Sequence, residues 1–170
     1  MRLTAAVARR PLRAQGLEWL IGSWQDQSTN GQVTTTFRWS ANEAFLIRSF
    51  TEQAPDQDAL EGTQVIGWDP RSGQIRAWTF NSDGSFGEGT ISRHDDAWLL
   101  KMWQIDPDGE LASATQVISR VDDDTLTVQI IGETVDGEPS ATSDPVTVVR
   151  IKESAAEATP PASSEQGAKP

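Results

Sequence analysis

Between Val33 and Lys152 the sequence repeats one pattern: a short run of two-residue period, a turn signal, then another such run. Val33–Trp39 puts Val33, Thr35, Phe37 and Trp39 on one face, and its β-branched and aromatic content suits a pleated surface. Residues 44–52 alternate Ala44, Leu46, Arg48 and Phe50 against Phe45, Ile47, Ser49 and Thr51, so both faces carry apolar groups. The punctuation is equally regular. Pro70 to Gly73 joins 64–68 to 74–80, Ser82-Asp83-Gly84 precedes Phe86, and His94-Asp95-Asp96 precedes Trp98. Asp106-Pro107-Asp108-Gly109 and Asp122-Asp123-Asp124 do the same before Leu111 and Leu126, and 132–144 reads as a loose hairpin with Gly137 and Pro139. None of these connections has room for a crossover helix, so consecutive strands pair antiparallel with their neighbours. A Greek-key sandwich needs a long loop across the sheet ends. The pattern instead predicts an all-β fold, a single antiparallel up-and-down β-barrel of about ten strands, because closure hides the edges of so long a meander.

Length and charge narrow the function classes. With 170 residues there is room for one domain and a sizeable core. Lys plus Arg is 14 against Asp plus Glu 25, a net charge of -11 that repels phosphate backbones and anionic bilayers. Neither nucleic acid nor a membrane is an expected partner. The absence of Cys excludes disulfides, thiolate metal sites and a Cys nucleophile, and a single His makes zinc chemistry improbable. Residues 1–15 carry Arg2, Arg9, Arg10 and Arg13 with no acid and no uninterrupted apolar stretch of the kind a secretory signal needs. They read as a disordered basic arm or linker remnant, with a cytoplasmic location by default. Residues 153–170, rich in Ala, Pro, Ser and Glu, read as a solvated tail, which leaves 16–152 for the barrel.

The strand-borne charges suggest where a ligand would sit. Arg38, Arg48, Arg76, Glu88 and Lys101 lie within strands, half of whose positions face inward in a barrel. Arg48 shares its face with Ala44, Leu46 and Phe50, so it needs a partner, and Glu88 is the expected one, since an unpaired buried charge costs several kcal/mol. Trp68, Trp78 and Trp103 either fill the core or, with Arg48 and Glu88, line a cavity with few polar groups. Gly87 and Gly89 either bend the barrel or leave room for a ligand. His94 reads as a turn residue rather than a haem or metal ligand, and the Asp residues near glycines read as turn formers rather than calcium ligands. No serine has a histidine base, so catalysis is not expected.

Leu17-Glu18-Trp19-Leu20-Ile21-Gly22-Ser23-Trp24 resembles the G-x-W element of the lipocalin and wider calycin superfamily. Phe45-Leu-Ile-Arg48-Ser-Phe50, Gly67-Trp68-Asp69-Pro70 with Gly73, and Trp78-Thr-Phe-Asn-Ser-Asp-Gly84 leading to Gly87-Glu88-Gly89 make the chain similar to nitrobindin-related bacterial lipocalin-like domains of unknown function. Some of these lie downstream of SnoaL-like or NTF2-like domains. The resemblance spans Leu17 to Ile151. It implies a floor made by Trp24 beneath a short N-terminal 3₁₀ turn, with Gly22 before it and Arg150 from the last strand stacked over the indole, a contact worth about 0.5–2 kcal/mol. Two departures count: there is no Tyr for the Thr-Asp-Tyr element, and the haem-ligating histidine has no counterpart, His94 being the only His. No cofactor is therefore expected. The first hypothesis is non-catalytic binding of a small, apolar or amphipathic ligand whose anionic group meets Arg48. The second is an accessory domain with a filled barrel, and the third a helper of a SnoaL-like enzyme. A cavity of about 300 Å³ or more, open away from Trp24, would favour the first.

Overall fold

The computed structural model describes residues 12–28, 31–140 and 142–152. Residues 1–11 of the expected arm and the tail at 153–170 lie outside them. Two 3₁₀ turns, Arg13–Gln15 and Glu18–Leu20, lead into the strands. These are β1 (Gly22–Asp26), β2 (Gln32–Trp39), β3 (Phe45–Gln53), β4 (Leu60–Asp69), β5 (Gln74–Asn81) and β6 (Phe86–His94), then β7 (Ala97–Ile105), β8 (Leu111–Arg120), β9 (Thr125–Val135), β10 (Glu138–Pro139) and β11 (Val146–Ile151). Neighbours in sequence pair antiparallel from β1 through β9, β11 pairs with β1, and β11 also pairs with β9. The sheet therefore closes into an antiparallel barrel of ten strands, β1 to β9 and β11, with β10 as an added two-residue strand.

Two departures from the sequence reading have local causes. Residues 132–144 do not form one loose hairpin: β9 runs on through Gly132 to Val135 and turns at Asp136-Gly137. Gly132 takes φ +59° where the β8–β9 register shifts between Ser113 and Thr115, so a bulge is accommodated without ending the strand. β8 occupies one edge of β9, and β10 and β11 share the other in succession. The second departure is at the floor. Leu12, within the stretch read as an arm, is buried and packs with Leu17, Leu20 and Trp24, so the plug begins before residue 16.

Register fixes which side chains face inward, because directly opposed residues share a face. Trp24, 1% exposed, opposes Thr35, which opposes Phe50, which opposes Gly62. Carried round the sheet, this puts Arg48, Gln64, Thr79, Gly87 and Gln104 on the inner face, and Leu46, Ile66, Ala77, Gly89 and Met102 beside them. The buried core, including Leu17, Leu20, Trp24, Leu46, Ile66, Trp98, Leu100 and Leu126, gathers toward the closed end. The other end is the mouth.

Candidate functional site

The floor is built as a clasp. Trp24 Nε1 donates to Leu20 O at 2.7 Å, tying the indole to the second 3₁₀ turn, and Trp19 meets it edge-on at 6.3 Å. Arg150, opposite Trp24 across the β1–β11 seam, stacks its guanidinium 4.1 Å from the indole centroid. Its nitrogens donate to Ile21 O at 2.6 Å, Trp19 O at 2.8 Å, Asp123 O at 3.0 Å and Asp124 Oδ1 at 3.0 Å. A planar fork of five donors suits this multiple carbonyl capture. Gly22 is where the chain must leave room, since its φ is +117° and an added Cβ would stand 2.7 Å from Arg150 Nη1.

Above this floor the barrel encloses a cavity of about 350 Å³. Its walls are Leu17, Leu20, Trp24, Ile66, Trp98, Leu100, Leu126 and Val148 toward the closed end, and it reaches the exposed Glu52 and Ser143 toward the mouth. The polar groups among this apolar lining are few, chiefly Thr35, Arg48, Gln64 and Gln116, with Asp26 and Glu52 nearer the mouth. Asp26 Oδ1 accepts from Val33 N at 2.8 Å and Gln64 Nε2 donates to Thr79 Oγ1 at 3.0 Å. A larger concavity, about 760 Å³, lies outside β1 to β5 among Ser23, Thr34, Thr36, Ser49, Thr51 and Thr63. Apart from Glu61 that lining is uncharged, so the charged lumen is the candidate site.

Arg48 is the cation of the lumen. Its Nη2 makes a long bond of 3.4 Å to Thr35 Oγ1, and its guanidinium lies 4.3 Å from the Phe50 ring centroid. Among the described residues no carboxylate comes within ion-pair distance of it. Burial pulls its pKa down to about 10, with the Glu52 charge opposing. It is therefore still charged at neutral pH, with spare donors facing an apolar space.

Of the residues expected to form the site, the structure brings Arg48 to the cavity and no other of that set. Trp68 faces inward, opposite Ile75, but packs against the core near the closed end and is not part of the cavity lining. Trp78, Glu88 and Trp103 form one cross-strand row on the outer face, so their expected place in the lumen is corrected. Glu88 is not the partner of Arg48: its Oε2 accepts from Arg76 Nη2 at 2.6 Å on the outside. Gly87 and Gly89 do face inward, yet a Cβ on either would overlap the backbone of β7, so these glycines serve a close strand approach rather than ligand space. His94 is exposed at the closed end, 3.7 Å from Asp95. The turn aspartates hold backbone amides: Asp83 Oδ1 accepts from Ser85 N and Asp106 Oδ1 from Asp108 N and Glu110 N within their own turns, and Asp136 Oδ1 accepts from Leu111 N of the neighbouring strand.

Gln64, Gln116, Ile118, Val128 and Trp98 were missing from the expected lining. Trp98 was visible as an aromatic, and the alternation of 112–120 would have offered Gln116 and Ile118 together once a single inward position in that strand was known. The arrangement is an apolar space of small-molecule size with one cationic group and a few neutral polar groups in its wall. No protein-family model matches the sequence, and no curated protein matches it. The closed ten-strand antiparallel barrel with a tryptophan floor is consistent with a lipocalin-like fold.

Proposed function

We propose that this chain binds, without catalysis and without a cofactor, one small, largely apolar ligand inside the barrel, its anionic group held by Arg48. The reading includes kinship with the nitrobindin-related lipocalin-like domains, supported by the Gly22–Trp24–Arg150 clasp. The observation that carries it is a charged guanidinium that, among the described residues, has no carboxylate partner, lining an apolar cavity of about 350 Å³. That volume lies in the range of small-molecule sites, roughly 300–1,000 Å³. An accessory barrel filled by its own side chains would have no use for such a space, and an unpaired cation in it would be a cost without a return.

The test uses 1-anilinonaphthalene-8-sulfonate, an apolar fluorophore with one anionic group. Saturable one-site binding with quenching of tryptophan emission is expected from the wild type. Arg48→Met should weaken it about tenfold or more, the scale of a lost charge-assisted contact of roughly 1.5–3 kcal/mol. Equal binding by wild type and variant would remove Arg48 from the site, and no binding by either would favour the accessory reading. Native mass spectrometry of protein from its own host would then identify the bound mass.

A further inference from the structure

We infer that two copies of this chain associate through the outer face of β5 to β8, with their barrels antiparallel. Phe80, Phe86, Ile105 and Leu111 stand opposite one another on four successive strands, a single outward row near the mouth. Strands lie about 4.8 Å apart, so the row spans roughly 15 Å without a polar side chain. One step toward the closed end, Trp78, Glu88 and Trp103 form the next outward row, and beyond it come Arg76, Thr90 and Lys101. Phe80 is 57% exposed, Leu111 48%, Phe86 46% and Trp103 39%. With full side-chain areas of about 150–250 Å² each, the four leave roughly 300–450 Å² of apolar surface open. A stable interface takes about 800 Å² from each partner, somewhat over half of it apolar, so the patch supplies what one side of such an interface needs.

The charge pattern selects a second copy and its direction. The mouth loops at 54–59, 82–85, 106–110 and 136–140 hold several acids and no Lys or Arg. A two-fold axis parallel to the barrels would set these acidic loops side by side. An axis running across the strands instead lays the Phe80–Leu111 row of one copy over the Arg76–Lys101 row of the other, with Arg76 against the Phe80 ring and the Lys101 stem against Ile105. Trp78, Glu88 and Trp103 then meet their counterparts at the axis, with each Glu88 charge offset by its own Arg76. The acidic loops of each copy approach the closed end of the other, where Asp95, Asp96 and Asp122 to Asp124 are acidic too but Arg71 and Arg120 supply cations that the mouth loops lack. Arg76 and Glu88 already neutralise each other within the patch, so they enter the contact as a pair. A bilayer with anionic lipid is a poorer match, because the same acidic loops border the row.

Sedimentation equilibrium of the full chain across the micromolar to millimolar range tests this, and a two-chain mass is expected. Phe86→Asp and Trp103→Glu should each raise the dissociation constant about thirtyfold or more, the scale of an interface hot spot. Far-UV circular dichroism should stay unchanged, as should the thermal midpoint at concentrations where the wild type is monomeric, since both side chains face outward, and Leu111→Asp replaces either variant that fails to fold. Lys101→Glu should weaken association, while Arg38→Glu, exposed on β2 away from the patch, should not. A monomer throughout, or a dimer indifferent to Phe86→Asp and Trp103→Glu, overturns the interface. A dimer broken by Phe86→Asp yet untouched by Lys101→Glu overturns the antiparallel placement.

Discussion

At Gly22 a missing side chain is a structural requirement. Arg150 cannot swing aside cheaply to admit a Cβ, because its guanidinium already reaches carbonyls of Trp19, Ile21 and Asp123 as well as the Asp124 carboxylate. With φ at +117° the backbone also lies where L side chains are strained. Gly22→Ala should therefore cost about 1–3 kcal/mol, read as a lower urea midpoint with an unchanged slope. An unshifted midpoint would mean that the clasp yields. Arg48 should behave in the opposite sense. Its folded pKa lies below the unfolded value, so the protonated form carries a cost at every pH below about 10, relieved only as pH rises beyond it. At neutral pH Arg48→Met should then be neutral to about 4 kcal/mol more stable, while losing affinity for an anionic probe. A loss of stability beyond about 1 kcal/mol in thermal denaturation would make Arg48 a structural residue.

At the scale of strands, the β1–β11 seam has its own pH signature. Asp124 Oδ2 meets Lys152 Nζ at 3.0 Å and Oδ1 accepts from Arg150 Nε at 3.0 Å. The hydrogen bond from Lys152 is the main cause holding its carboxyl below the usual aspartate range; desolvation opposes this, and the Lys152 and Arg150 charges and the Arg150 bond add to the lowering. A depressed carboxylate pKa contributes stability above the unfolded value that fades as pH falls through the folded one. Asp124→Asn should thus unfold at lower urea than wild type at neutral pH, with the gap closing on acidification below the usual aspartate range. A gap independent of pH would assign the loss to packing. The strands also show why facing is harder to read from sequence than pairing. β4 pairs Asp69 with Gln74 across the four-residue loop 70–73, and an even loop moves the inward set from even to odd positions. Trp68 and Trp78 therefore face opposite ways although ten positions, an even number, separate them. Size misled as well: on β5 the inward side chains are Ile75, Ala77 and Thr79, whereas the larger Trp78 and Phe80 point out. The small inward Gly87 and Gly89 were the available clue, since close backbones, not bulky rings, occupy that wall.

For the whole barrel, closure was legible because it follows from short connections and from two residues, Trp24 and Arg150, that meet only if the first and last strands are adjacent. The cavity was not legible, because volume depends on the shear and pinch of the walls rather than on any local pattern. Nor was the charge layout, which appears only when hairpins sort their loops to two ends. Outside the lumen, the mouth loops present Asp56, Asp58, Asp83, Asp106, Asp108 and Asp136, while the Arg48 cation sits inside. An anion must therefore cross a repulsive rim to reach an attractive interior. Rim charges act through solvent and are screened within about 8 Å at physiological salt, whereas the Arg48 contact is sheltered. In stopped-flow mixing with 1-anilinonaphthalene-8-sulfonate, the association rate should rise about threefold to tenfold from low to physiological ionic strength, the reverse of electrostatic steering. The dissociation rate should change far less, so that salt tightens binding overall. An association rate that falls with salt would mean that the probe reaches its site by a route other than the acidic mouth.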